Sequence, residues 1–366
     1  VAIKKLTRNL TRVLLFGMIS ATLGYSQLTN VADNLAKLKD KREAVRMAAV
    51  KALGRSADER AIEPLIEVMK QDEDAFVRTE ATLALGNFKD LRAINALIAA
   101  LTTADGNVTE AANQALKNLG PNAMPPMIEA LASHDSRLTG NLIDAFELIG
   151  APAVDALVAA LGSDNSNRQR NASFALGRLK NPRAIPFLLP LLTSPYDIVR
   201  GPAAVALGEI GDPRAIDSVL PLLKDPYPIV RLSAAGALAD MKATGTVEEI
   251  ALLLKDTDKD VRHEVGAALS KMNSPQAIEH LMTAAKSKDL AVVAGGYKVF
   301  LRRLTPTLIE TLLDALAEFG DEEMIQAFVN SGNRRLASEA RSWAKENGYE
   351  IFSIPTYGTG RRKRRR

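Results

Sequence analysis

Apolar residues recur along this chain at helical spacing, and the helical segments themselves recur. Ile62, Leu65, Ile66 and Met69 mark one apolar helix face, and Ile216, Val219, Leu220 and Leu223 another. Each such segment is followed by a turn rich in Asp, Ser, Pro and Gly, as in Lys224-Asp225-Pro226-Tyr227-Pro228. A second helix then runs from a Val-Arg pair to Ala-Leu-Gly. No segment alternates apolar and polar residues for long enough to predict a strand.

The pairs repeat with a fixed period. Val45-Arg46 with Ala52-Leu53-Gly54 returns as Val77-Arg78 with Ala84-Leu85-Gly86 and as Val199-Arg200 with Ala206-Leu207-Gly208. Val230-Arg231 with Ala237-Leu238 and Val261-Arg262 with Ala268-Leu269 continue it. One equivalent position runs through nine repeats: Leu53, Leu85, Leu116, Phe146, Leu176, Leu207, Leu238, Leu269 and Phe300. Its spacing is 30 to 32 residues throughout. A lone helix pair cannot bury its apolar stripe, so the pairs must stack into one continuous core. The glycine after Ala-Leu reads as a helix stop. Asp/Asn-x-Arg-Ala links, at Asp58, Asp90, Asn181 and Asp212, open the next pair.

The Val-Arg-x-x-Ala-x-x-Ala-Leu-Gly pattern resembles the HEAT-repeat family in its short bacterial form, the phycobilisome-lyase-type HEAT-like repeat. The resemblance covers roughly Leu28 to Leu301, and the repeat solenoid is expected over residues 27–301. It implies an all-α, right-handed α-solenoid of the armadillo/HEAT type, with about nine two-helix repeats whose second helices line the concave face. Beyond Leu301 the period is lost. Segments Pro306 to Phe319, Asp321 to Val329 and Arg334 to Asn347 read as three helices of a C-terminal cap over 302–348.

Charge and composition change the picture mainly at the two ends. The net charge is +4, but Lys4, Lys5, Arg8 and Arg12 give the first 26 residues +4, and Arg361 to Arg366 give the last six +6. The body from Gln27 to Gly360 therefore carries −6. Residues 1–26 read as a signal peptide: a basic start, an uncharged stretch of 11 residues from Val13 to Leu23, and small residues before Gln27. An amphipathic or buried N-terminal helix is the second reading, and an uncleaved anchor the third. A periplasmic or secreted protein is expected on the first reading, a cytoplasmic one on the second. Residues 349–366 read as a disordered basic tail able to touch an anionic membrane or polymer, with no specific nucleic acid implied.

The absence of Cys removes disulfides, thiolate metal sites and Cys nucleophiles. The pair His263-Glu264 resembles the motif of deoxyhypusine hydroxylases, HEAT-repeat enzymes that build a di-iron site from several His-Glu pairs. Here the equivalent places hold Met47-Ala48, Thr79-Glu80, Arg170-Asn171 and Ala294-Gly295 among others. One His and one carboxylate cannot hold an iron pair. No cofactor, metal or catalytic residue is expected. A bilin-lyase-like or hydroxylase-like enzyme and a polyanion binder are the alternatives to a scaffold.

Two rows of side chains follow from the register. Arg46, Arg78, Arg200, Arg231 and Arg262, each one residue past the Val, read as a structural ladder bonding acids or carbonyls of adjoining repeats. Thr109, Thr139 and Gln169 interrupt it. Positions 2, 3 and 6 past the Val lie opposite the core face and are expected on the concave surface. They include Thr79, Glu80, Glu110, Gln114, Asn141, Asp144, Arg170, Asn171, Phe174, Val205 and Leu232. That row predicts a groove for a protein or peptide, with Phe174 as its anchor.

Overall fold

The computed structural model describes residues 30–349. The signal-like segment 1–26 lies outside the described residues, as does the tail from residue 350 on. Among the described residues every regular element is a helix. They form two compact units, one ending at Ala206 and the other beginning at Leu207.

The first unit contains five helix pairs, the first of them described from residue 30 on. Their second helices are Glu43–Ser56, Ala75–Leu85, Gly106–Leu119, Ser136–Ile149 and Ser166–Leu179, hereafter repeats 1 to 5. The second unit contains repeats 7, 8 and 9, with second helices Pro228–Asp240, Lys259–Met272 and Leu290–Phe300. The helix of repeat 6, Asp197–Ile210, straddles the division. Helices Pro306–Phe319, Glu322–Val329 and Arg334–Glu346 follow repeat 9 in the same compact unit.

All nine period-marking residues, from Leu53 to Phe300, are completely buried. The second helices start where an acid can cap them. Asp74, Asp105, Asp135, Asp258 and Asp289 each accept hydrogen bonds from two backbone N–H groups of the first turn. The Asp-x-Arg links are local clasps. Asp58, Asp90 and Asp212 each take the guanidinium two residues on, at 2.7, 2.8 and 2.5 Å. The Arg214 hydrogen bond is the main cause holding the Asp212 carboxyl down at about 2. Several first helices finish as tighter 3₁₀ turns. Pro190 and Pro221 sit in two of these, where proline has no N–H to continue an α-helical ladder.

The glycine of Ala-Leu-Gly is not a left-handed helix stop, and at Gly54 and Gly208 it does not end the helix at all. Gly54 lies two residues inside its helix, and Gly208 likewise lies inside its own. Gly86 is the cap residue of its helix but keeps ordinary right-handed geometry at φ −64°. What these positions share is the next repeat's alanine. A Cβ on Gly54 would stand 2.7 Å from the Ala84 Cβ, one on Gly86 2.8 Å from the Ala115 Cβ, and one on Gly208 2.6 Å from the Ala237 Cα. The glycine and the alanine let consecutive second helices touch almost backbone to backbone. In repeat 1 the left-handed stop comes three residues later, at Ala57 with φ 52°.

Candidate functional site

The arginines after the Val form two-ended clasps. In repeat 1, Arg46 donates to the Asp40 carbonyl at 3.0 Å behind it and to the Asp72 carboxylate of repeat 2 at 2.8 Å ahead. Arg78 joins the Asp72 carbonyl at 2.8 Å to the Asp105 carboxylate at 2.6 Å. Arg231 joins the Asp225 carbonyl at 2.9 Å to the Asp256 carboxylate at 2.7 Å, and Arg262 joins the Asp256 carbonyl at 2.9 Å to Asp289 at 2.7 Å. Arg200 donates to the Ser194 carbonyl at 2.8 Å. Asp105 and Asp289 serve twice, with one oxygen capping a helix and the other taking an arginine.

In two of the three repeats that lack the arginine, an asparagine joins the repeat to the one before it. Asn141 donates to the Leu101 carbonyl at 2.6 Å and Asn171 to the Leu131 carbonyl at 2.7 Å. Both carbonyls lie at the end of the preceding repeat's first helix, where backbone acceptors have no helical partner. Gln169 donates to the Leu161 carbonyl of its own repeat at 3.0 Å. Asn171 is therefore not a surface residue: only 3% of it is exposed, and it joins two repeats. Position 3 looks back between repeats rather than out.

Other members of the expected row sit as follows. Thr79 bonds back to the Ala75 carbonyl at 2.8 Å. Glu80 stands 3.9 Å from Lys51 of repeat 1. Gln114 donates to Asn118 at 3.0 Å, and Asp144 lies 3.6 Å from Arg178. Arg170 is half-buried and donates to the Asn171 side chain at 3.2 Å. Glu110 is exposed, while Phe174 and Val205 are half-buried. Leu232, half-buried, belongs to the second unit.

An opening lies elsewhere on the same register, in repeats 7 to 9 and the first helices after them. It is a cavity of about 440 Å³. Its hollow comes from missing side chains: Gly236, Ala267, Ala294 and Gly295 stand at positions 6, 6, 2 and 3 of their helices. His263 and Glu264 enter from the helix of repeat 8. The His263 ring stacks on Phe319, with centroids 5.6 Å apart and planes 12° from parallel. Burial lowers its pKa, against the pull of Asp321 and Asp260. Burial raises the pKa of Glu264, with help from Asp240 and against Lys271. Lys271 pairs with Asp240, and Lys298 with Glu323 at 2.6 Å. Among the described residues no three His, Cys, Asp or Glu side chains gather as metal ligands would.

The profile of HEAT repeats matches residues 31–117, 154–239 and 216–296, more than half of the chain. The chain belongs to the HEAT-repeat family. Its fold is accordingly an all-α solenoid. Among solved structures, Kap121p bound to Pho4p matches with a TM-score of 0.52 and 13% identity. That match covers 86% of this chain and 41% of Kap121p, so the HEAT-repeat chain spans less than half of that protein. The crystal structure of an engineered protein is 23% identical over 87% of this chain and 98% of its own, with a TM-score of 0.37. Human deoxyhypusine hydroxylase in complex with glycerol is 24% identical over 58% and 84%, with a TM-score of 0.28. No curated protein matches the chain. At 13% identity the Kap121p likeness speaks for the fold alone.

Proposed function

We propose that this HEAT-repeat chain is a non-catalytic scaffold that captures a protein or peptide segment along the outward positions of its second helices. The observation that carries the reading is a division of labour along those helices. Arginines, Asn141 and Asn171 are spent on joining repeats, whereas Glu110 and Phe174 make no such bond among the described residues. Phe174 offers a half-buried aromatic ring one helical turn after the half-buried Arg170, and such residue types concentrate binding energy at interfaces. Position 6 is the site's anchor and position 2 its polar rim. Replacing Phe174 with Ala, or Arg170 with Glu, is expected to weaken partner capture at least about tenfold, since loss of an interface anchor typically costs ~2 kcal/mol. The helical circular-dichroism signal and the sharpness of the melt should stay near wild type. Capture unaffected by both changes, or lost only through unfolding, contradicts the groove.

The basic start and uncharged stretch of residues 1–26 support export as the second part of the proposal. Mass spectrometry of the native protein is expected to find a mature chain beginning near Gln27. An intact first segment on a cytosolic protein would contradict export.

A further inference from the structure

The helix Arg334–Glu346 ends on an Asn-Gly pair. Asn347 is its cap residue, and Gly348 follows at φ 76°, the left-handed conformation in which glycine closes a helix without a Cβ penalty. Three contacts hold this turn. The Tyr349 N–H donates back to the Ala344 carbonyl at 2.9 Å, and the Asn347 side-chain amide donates to the Trp343 carbonyl at 2.8 Å. The Tyr349 ring stacks on Trp343, with centroids 5.5 Å apart and planes 26° from parallel. Asn347, Gly348 and Tyr349 are all exposed to water.

An asparagine followed by glycine carries its own reaction partner. The backbone nitrogen of the following residue can attack the side-chain carbonyl carbon and close a five-membered ring. A Cβ on that following residue crowds the attack, and glycine has none. Asn347 is the only asparagine of the chain that precedes a glycine. The closed turn holds the reaction back. Asn347 has ψ 7°, which turns the Gly348 nitrogen away from the Asn347 side chain. Ring closure needs that bond rotated, and the rotation pulls Tyr349 off both Ala344 and Trp343.

We propose that Asn347 is a site of spontaneous deamidation and that the Trp343–Tyr349 stack gates it. In the opened turn the Gly348 nitrogen bonds to the Asn347 Cγ. The Cγ–Nδ2 bond breaks, and ammonia leaves with the proton from the Gly348 nitrogen. Water then opens the ring at either carbonyl. One product is aspartate; the other is isoaspartate, which carries an extra methylene in the main chain. Neither can donate to the Trp343 carbonyl as the amide did. Both place a carboxylate at a helix C-terminus, where the backbone dipole disfavours negative charge. The modification therefore loosens the clasp that restrained it and frees Tyr349, the last described residue before the basic end of the chain. It does not depend on what the scaffold captures.

Ageing the purified full chain in neutral buffer tests this. Peptide mass mapping follows the change from amide to acid at each asparagine, and isoaspartyl methyltransferase marks the rearranged product. Asn347 is expected to convert several-fold faster than any other asparagine. Tyr349→Ala should speed its conversion about three- to tenfold, the factor by which loss of one aromatic pair shifts a local opening. Gly348→Ala separates chemistry from mere loosening. It strains the left-handed turn, which alone would speed the reaction, yet its Cβ crowds the attacking nitrogen, so conversion should slow. Trp343 is the one tryptophan of the chain, so its fluorescence reads the stack directly. Asn347→Asp should shift that emission in the same direction as ageing shifts the wild type, with the helical circular-dichroism signal unchanged. Conversion at Asn347 no faster than elsewhere, or acceleration by Gly348→Ala, overturns the site. A rate unmoved by Tyr349→Ala overturns the gate, and wild-type emission from Asn347→Asp overturns the loosening.

Discussion

Gly295→Ala is expected to destabilise the second unit by about 3 kcal/mol, at the upper end of overpacking costs. The added Cβ would fall 2.0 Å from the His263 carbonyl oxygen and 2.8 Å from the Ala267 nitrogen, both backbone atoms of the neighbouring helix. Gly266 repeats the contact from the other side, where a Cβ would stand 2.8 Å from the Val292 carbonyl oxygen. Neither helix can yield without moving the buried Val265, Leu269 and Phe300. Gly140→Ala is the control. It also lies inside a second helix, but its Cβ would meet nothing within 4 Å, so helix propensity alone should make it neutral or stabilising by up to about 1 kcal/mol. Chemical denaturation of the two variants beside wild type checks both signs.

Asp256→Ala is expected to cost about 2 kcal/mol, less than a fully buried pair because both partners keep some contact with water. The carboxylate takes both Arg231 donors, at 2.8 and 2.7 Å, and the Asp258 backbone N–H at 2.9 Å. Its removal strands a guanidinium whose side chain is only 14% exposed. Burial is the strongest single influence on Asp256 and works against its ionisation, but the Arg231 hydrogen bonds, the Asp258 N–H and the charges of Arg231 and Arg262 together outweigh it and hold its pKa below the usual range. A depressed carboxylate pKa stabilises the fold above the unfolded-state pKa and ceases to do so as pH falls through the folded value. The difference between wild type and variant should therefore shrink as the pH drops below about 4. A double-mutant cycle with Arg231→Ala should return a coupling of about 1 kcal/mol or more, and strict additivity would show that the ladder contributes nothing.

The repeat was legible because one apolar residue per period must be buried, and each of the nine from Leu53 to Phe300 is. The role of the glycine in Ala-Leu-Gly was not. A glycine after an apolar helix reads equally as a stop or as a point of close approach, and only the facing Ala84, Ala115 or Ala237 decides it. Asn171 went to the groove in the sequence reading because helical angle alone puts position 3 opposite the core. The carbonyl that captures it is 40 residues back, at Leu131, beyond the reach of a local pattern. The cavity escaped for a related reason. Its signal is the coincidence of small residues at Gly236, Ala267 and Gly295 around one carboxylate, three absences spread over three repeats. His263-Glu264 drew notice as a metal-like pair.

The outward row itself can be tested by placing the photo-reactive residue p-benzoylphenylalanine at Phe174 and, separately, at Phe187. Phe187 is the fair comparison: it is aromatic, 51% exposed, in the same unit, and on a first helix. Irradiation of cells making each variant, followed by mass analysis of the purified chain, reads out what lies against each position. The scaffold account predicts a discrete covalent adduct with a partner protein from position 174 and none from position 187. An adduct from 187 alone, or equal labelling from both, would contradict it.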